Sequence, residues 1–232
     1  EVTLMSQSEH YAPPPTPTPT LVPFVECGDS VSYPNDDGSD TYSTVEIGGQ
    51  CWLGENLNLD PEDADNDDCS GSYEKHCYSD DPANCDTYGG MYTWHVAMCG
   101  ASSSSSEPSG VQGLCPDGWH FPSTTELSTL KDNVCGASGH EGAALAGNAS
   151  LWRSGNLIFD SYFGCSGFDL LPGGLRYPSG SYYAISDEAY LWSSTQSSSG
   201  NAWRRAVLYS FAAFARNGVD MDYGFSIRCL KD

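Results

Sequence analysis

The stretch DPEDADNDD puts six carboxylates, Asp60, Glu62, Asp63, Asp65, Asp67 and Asp68, within nine residues. Like charges this close repel unless a counter-ion sits among them, and Ca²⁺ accepts roughly six to eight oxygens from such a loop. The spacing is not that of an EF-hand, because the turn glycine and the terminal glutamate are missing. A solvated acidic loop is the plainer reading, and Ca²⁺ is the one cofactor the sequence suggests. Three tyrosines in a Gly/Ser-containing stretch, Tyr177, Tyr182 and Tyr183, are candidates for stacking on sugar rings. Large aromatics more often serve packing, and that is the expectation for the tryptophans, Trp52, Trp94, Trp119, Trp152, Trp192 and Trp203.

The remaining reactive residue types point away from catalysis. The 10 cysteines include no CxxC pair, and His10, His76, His95, His120 and His140 have no metal-ligand spacing. An even number of cysteines spread through loop-like sequence fits disulfides formed in an oxidising compartment. Each bridge contributes about 2–4 kcal/mol by restricting the unfolded chain. Neither GxSxG nor HExxH occurs, and an abundance of Asp and Glu is not the geometry of a glycosidase pair. No catalytic residue is assigned, and an enzyme is not expected. Asn148-Ala149-Ser150 is the sole N-glycosylation sequon.

The 232 residues carry 31 acidic and 9 basic side chains, a net charge of -22. Such a field repels polyanions, which excludes nucleic-acid binding by phosphate neutralisation and disfavours anionic membrane surfaces. The charge is uneven: residues 1–150 hold 24 acids and 2 bases, whereas residues 151–232 hold 7 of each. Arg204, Arg205, Arg216 and Arg228 in the second part are expected to pair with acids of the first. No run of about 18 apolar residues is present, so no membrane span is expected. The chain begins at Glu1, and the expectation is that a presequence was removed or was never included.

Three segments organise the chain. Residues 1–12 (EVTLMSQSEHYA) form a strand-like arm in which Val2, Leu4, Met5 and Tyr11 supply the apolar and aromatic contacts. Residues 13–25 are a Pro/Thr-rich spacer, whose alternation favours polyproline II at about 3.1 Å per residue. Thr16, Thr18 and Thr20 are candidate O-glycosylation sites there. Residues 26–232 are the globular part. Within it Thr44–Ile47 and Cys51–Leu53 read as strands joined by a Gly48-Gly49 turn. Ser123–Val134 reads as a helix with a Ser123/Glu126 capping box and Leu127, Leu130 and Val134 on one face. After Asn148 the pattern is short strands and Gly-rich loops, closing on a core strand over Phe225–Leu230. Helix is the minority, and the fold class is α+β.

Six ordered strings carry a resemblance: VEIGGQCWLGENLN (45–58), CYSDDPANCDTYGGMYTW (77–94), CPDGWHFPSTTEL (115–127), FDLLPGGLRY (168–177), AYLWSST (189–195) and GFSIRCLKD (224–232). Together they resemble the FISUMP family, the Fibrobacter succinogenes major paralogous domain, over roughly residues 42–232. The family occurs on exported and surface-anchored bacterial proteins. Its helix start and its GFS-[VI]-R-C ending look like relatives of the C-type-lectin-like and formylglycine-generating-enzyme folds. The resemblance therefore implies a C-type-lectin-like α+β domain with small twisted sheets, one or two helices and long disulfide-stapled loops. It does not imply catalysis. It supports a local disulfide between Cys77 and Cys85, and one between Cys115 and Cys229 if the motifs at the two ends of the domain meet. Cys135 with Cys165, and the set Cys27, Cys51, Cys69 and Cys99, stay open, because spacing does not fix connectivity.

The expected function follows from arm, spacer and disulfide-rich domain together. A strand carried away from its own domain has unpaired amides and carbonyls, which a neighbour's sheet edge would satisfy. Repeated head to tail, this gives a filament of copies of the same chain at the exterior of a bacterial cell. The alternative is a cell-surface carbohydrate-binding or adhesive lectin-like module with glycans as partners.

Overall fold

The computed structural model describes residues 26–35, 38–69 and 74–232. The arm with Val2, Leu4, Met5 and Tyr11, and the spacer with Thr16, Thr18 and Thr20, lie outside the described residues.

The first hairpin pairs β1 (Val31–Asn35) with β2 (Gly38–Tyr42). The second joins β3 (Thr44–Ile47) to β4 (Gln50–Leu53) through Gly48 and Gly49, both at positive φ. A two-residue turn of that kind needs two left-handed residues, which glycine adopts without a Cβ penalty. At Gly48 a Cβ would also lie 2.4 Å from that of Asn133. Two short helices follow, α1 (Pro82–Tyr88), capped by Asp81, and α2 (Trp94–Met98), capped by Thr93. After β5 (Trp119–His120) comes α3 (Thr124–Asn133), whose capping box pairs Ser123 with Glu126 and which buries Leu127 and Leu130. Then follow α4 (Glu141–Leu145), the small pair β6 (Leu175–Arg176) and β7 (Tyr182–Tyr183), three long strands and a short last one. The long strands are β8 (Glu188–Ser198), β9 (Asn201–Leu208) and β10 (Phe211–Asp220), and the last is β11 (Leu230–Lys231).

Two sheets dominate, antiparallel throughout, with strand orders β3-β4-β11-β5 and β10-β9-β8. Each is a wall between two cores. Along β8 every residue from Ala189 to Thr195 is buried. Period-two alternation sends Tyr190 and Trp192 into one core with Tyr92, Phe121 and Phe225. It sends Ala189 and Leu191 into the other, with Trp52, Phe168, Leu127 and Leu130. In β4 the same alternation parts Trp52 from Leu53.

The chain is thus α+β, with small sheets, few helices and five disulfides. These link Cys27–Cys51, Cys69–Cys99, Cys77–Cys85, Cys115–Cys229 and Cys135–Cys165. Two details differ from the sequence reading. The region after Asn148 contains strands of 11, 8 and 10 residues, longer than expected. Their serines, alanines and arginines have weak strand preference, which burial overrides in β8 and β9, while the more exposed β10 pairs along β9. The segment Phe225–Leu230 is strand only from Leu230 on, because its backbone bonds a different partner at almost every step. Phe225 pairs with Tyr92, the Ser226 carbonyl accepts from Trp192, that of Ile227 from Leu57, and that of Cys229 from Leu53. It is a buried thread between elements rather than one rung-by-rung ladder.

Candidate functional site

On that thread sits Arg228, 1% exposed. Its Nη1 donates to the carbonyls of Leu53 (3.0 Å), Gly54 (2.7 Å) and Phe168 (2.6 Å). Nη2 and Nε donate to Asn56 Oδ1 at 2.9 and 3.2 Å, and Asn56 Nδ2 donates in turn to the Tyr88 carbonyl at 2.9 Å. The guanidinium carbon stands 4.4 Å from the Phe168 ring centroid. Burial pushes this group down to about 9, which leaves it charged at neutral pH. A charge so deep in the protein is stable only when its donors are met, and here backbone and amide oxygens meet them.

Over this group opens a cleft of about 360 Å³, within the range of small-molecule sites. Asn56, Tyr88 and Arg228 are among its buried members, and Asp86, Asn148 and Asp169 among its exposed ones. Glu55, also at the cleft, is held by the Ser43 amide (2.7 Å) and hydroxyl (2.8 Å). Asn148 and Asp169 both adopt left-handed backbone, at φ 46° and 50°. The Ser150 hydroxyl donates to Asn148 Oδ1 at 2.6 Å. Asn58 lines the same cleft, and its side-chain oxygen is buried with no hydrogen-bond partner among the described residues. Four of the six resemblance strings supply lining residues, so segments far apart in sequence converge here.

A second polar constellation lies at the start of α3. His120, buried, bonds Glu126 Oε1 through Nε2 (2.8 Å) and Asp232 Oδ1 through Nδ1 (2.7 Å). Glu126 also accepts from the Ser123 amide (2.7 Å) and the Ser109 amide (3.3 Å). Burial alone would lower the His120 pKa, but the two carboxylates more than offset it, and the ring stands above its usual range.

The structure does not gather the acidic loop into a cation cage. Asp60 pairs with Lys75 at 2.8 Å, and Asp65 accepts from the Asp117 amide at 3.3 Å. The loop is turned by short 3₁₀ segments over Pro61–Asp63 and Asp67–Cys69. Among the described residues no group of three or more acidic, His or Cys side chains can hold a metal ion, so Asp60, Glu62, Asp63, Asp65 and Asp68 form no common site. The Asp67 side chain lies outside the described part.

The three tyrosines are divided. Tyr182 and Tyr183 are consecutive in β7 and face opposite ways. Tyr182 packs on Tyr78, with ring centroids 5.4 Å apart, and donates to Asp80. Tyr177 and Tyr183, both exposed, stand 6.3 Å apart, and Tyr177 is 5.4 Å from Tyr223, which sequence reasoning missed. Its place beside the GFSIRC string was the available signal.

The expected ion pairs of the arginines do not form. Among the described residues, Arg204, Arg205, Arg216 and Arg228 make no salt bridge. Arg204 lies over the Tyr190 ring at 4.7 Å and Arg216 over Trp203 at 4.6 Å. Arg205 lies over Phe214 at 5.3 Å and donates to its carbonyl and to Ser128 Oγ. The long sheet presents aromatic faces to these cations, whereas many of the acids sit on exposed loops.

On that sheet β10 is an outer strand, paired among the described residues only to β9, with Arg216, Asn217 and Gly218 exposed.

These features define a small disulfide-stapled α+β domain with a polar cleft over Arg228 and a sheet edge at β10. The sequence model of the Fibrobacter succinogenes major domain matches residues 45–231, and the chain belongs to that family. No curated protein and no solved structure matches the chain. No helix among the described residues is long and apolar enough to cross a membrane.

Proposed function

We propose that this chain is an extracellular structural protein of a bacterial surface that assembles into a filament with copies of itself. The observation that most supports the reading is the outer edge of β10. Among the described residues, its backbone from Ala215 to Asp220 has a partner strand on one side only, and such an edge is a template for an added strand. The arm, through Val2, Leu4, Met5 and Tyr11, is the strand a neighbouring copy would add. The spacer with Thr16, Thr18 and Thr20 is long enough to carry it beyond its own domain and would bear O-linked glycans. Five disulfides fit an extracellular setting, where a monomer must resist unfolding without chaperones. Negative-stain electron microscopy of the extracellularly purified protein, with and without residues 1–12, tests this. Filaments from the full chain alone are expected, and filaments unchanged by the deletion overturn it.

The cluster of Tyr177, Tyr183 and Tyr223 favours a second reading, an adhesive module that stacks glycans on exposed rings, with a C-type-lectin-like fold. Glycan-array binding by the domain, lost in Tyr183→Ala, is its expected result. Unchanged binding in that variant sinks it.

A further inference from the structure

We infer that the cleft over Arg228 is a binding site for one neutral saccharide unit, independent of the assembly edge and of the exposed tyrosines. The chemistry of the lining selects the ligand class. Glu55, Asp86 and Asp169 give the cleft an acidic character, and its one cation, Arg228, is sunk and committed to protein oxygens. An anionic ligand is therefore repelled, in a molecule whose net charge is already -22. The lining is not a greasy one either: Leu171 and the Tyr42 and Tyr88 rings are its main apolar members. What the cleft offers is a mixture of carboxylate acceptors, threonine hydroxyls and asparagine amides. A group that donates and accepts at once suits such a mixture, and hydroxyls do both.

A specific deficit sharpens this reading. The Asn58 side-chain oxygen is buried without a donor. An unmet buried acceptor carries a desolvation penalty, which a ligand hydroxyl would relieve once the Asn58 amide turns to face the cleft. Asn56 cannot adapt to supply that donor, because its amide is fixed between Arg228 and the Tyr88 carbonyl. The Asn56 floor is thus preorganised, and Asn58 is the side chain that adapts to the ligand. The volume of about 360 Å³ matches a single sugar ring with its ordered waters better than an extended chain.

The test is a titration of the ¹⁵N-labelled full chain, followed by NMR at the side-chain amides of Asn56, Asn58 and Asn148. The probes are glucose, galactose, mannose and N-acetylglucosamine, with glucuronate as the charged control. At least one neutral sugar is expected to shift these amides with a dissociation constant in the millimolar range, and glucuronate is expected to leave them in place. Asn58→Ala should weaken that sugar about tenfold, while Asp86→Ala, at an exposed position, keeps the fold and weakens it less. Tyr183→Ala should change nothing at the cleft. The proposal is overturned if no neutral sugar moves these amides, if glucuronate moves them equally, or if the shifts fall at Tyr177 and Tyr183 instead.

Discussion

Arg228 and His120 are both buried, at 1% and 3% exposure, and the protein satisfies them in opposite ways. Arg228 is held by three backbone carbonyls and an amide oxygen, with no carboxylate in its shell. His120 is held between two carboxylates, Glu126 and Asp232. Neutral dipoles stabilise a fixed charge without titrating themselves, so the Arg228 region has no built-in response near neutral pH. A histidine between acids is a titrating group by construction. One region is therefore pinned by a permanent charge and the other by a conditional one.

The largest effect should come from removing the permanent charge. Arg228→Met keeps much of the volume but strips the donor from three carbonyls and from Asn56, and should cost about 3–5 kcal/mol. Urea unfolding with the disulfides intact reads it as a shift in midpoint at unchanged slope. A loss under about 1 kcal/mol would mean that those oxygens find other donors, and the contrast with His120 would fail. Next comes Glu126→Gln. The amide offers one oxygen where the carboxylate offers two, so it cannot serve the Ser123 amide and His120 together while also accepting from Ser109. A loss of about 2–4 kcal/mol is expected. Were it to exceed that of Arg228→Met, the acid-held region would be the more critical of the two.

Sequence reasoning reached the local features and missed the convergent ones, for a physical reason. The capping box of α3 and the Gly48-Gly49 hairpin are decided by residues a few positions apart, and short-range rules suffice for them. The cleft is different. Asn56, Asp86, Asp169 and Arg228 come from segments separated by tens of residues, and nothing local marks them as neighbours. Arg228 was assigned a carboxylate partner because charge was counted by half-chain, whereas its actual partners are backbone oxygens that no composition reveals. The acidic loop shows another limit: density of carboxylates is visible in sequence, but the direction in which each side chain points is not. Asp60 turns to Lys75 instead of to its neighbours. Tyr182 and Tyr183 show the same limit, since grouping them by proximity ignored that adjacent strand residues face opposite sides.

The smallest effect is the most specific to the comparison. The folded state holds the His120 proton more tightly than the unfolded chain does, because its pKa is raised above 6.5. The stabilisation is complete below the unfolded value and is lost as pH rises through the folded one. His76 acts in the other sense: burial, then the Arg176 charge, lowers its pKa, so its contribution is present above 6.5 and lost as pH falls through the folded value. Unfolding free energy should therefore decline as pH rises above 6.5 because of His120. In His120→Gln that decline should flatten, whereas in Arg228→Met it should persist at lower overall stability. The comparison is of slopes, so the cost of each substitution in itself does not enter. A decline that survives in His120→Gln would place the titrating group elsewhere, and the two buried charges would then differ in partner but not in consequence.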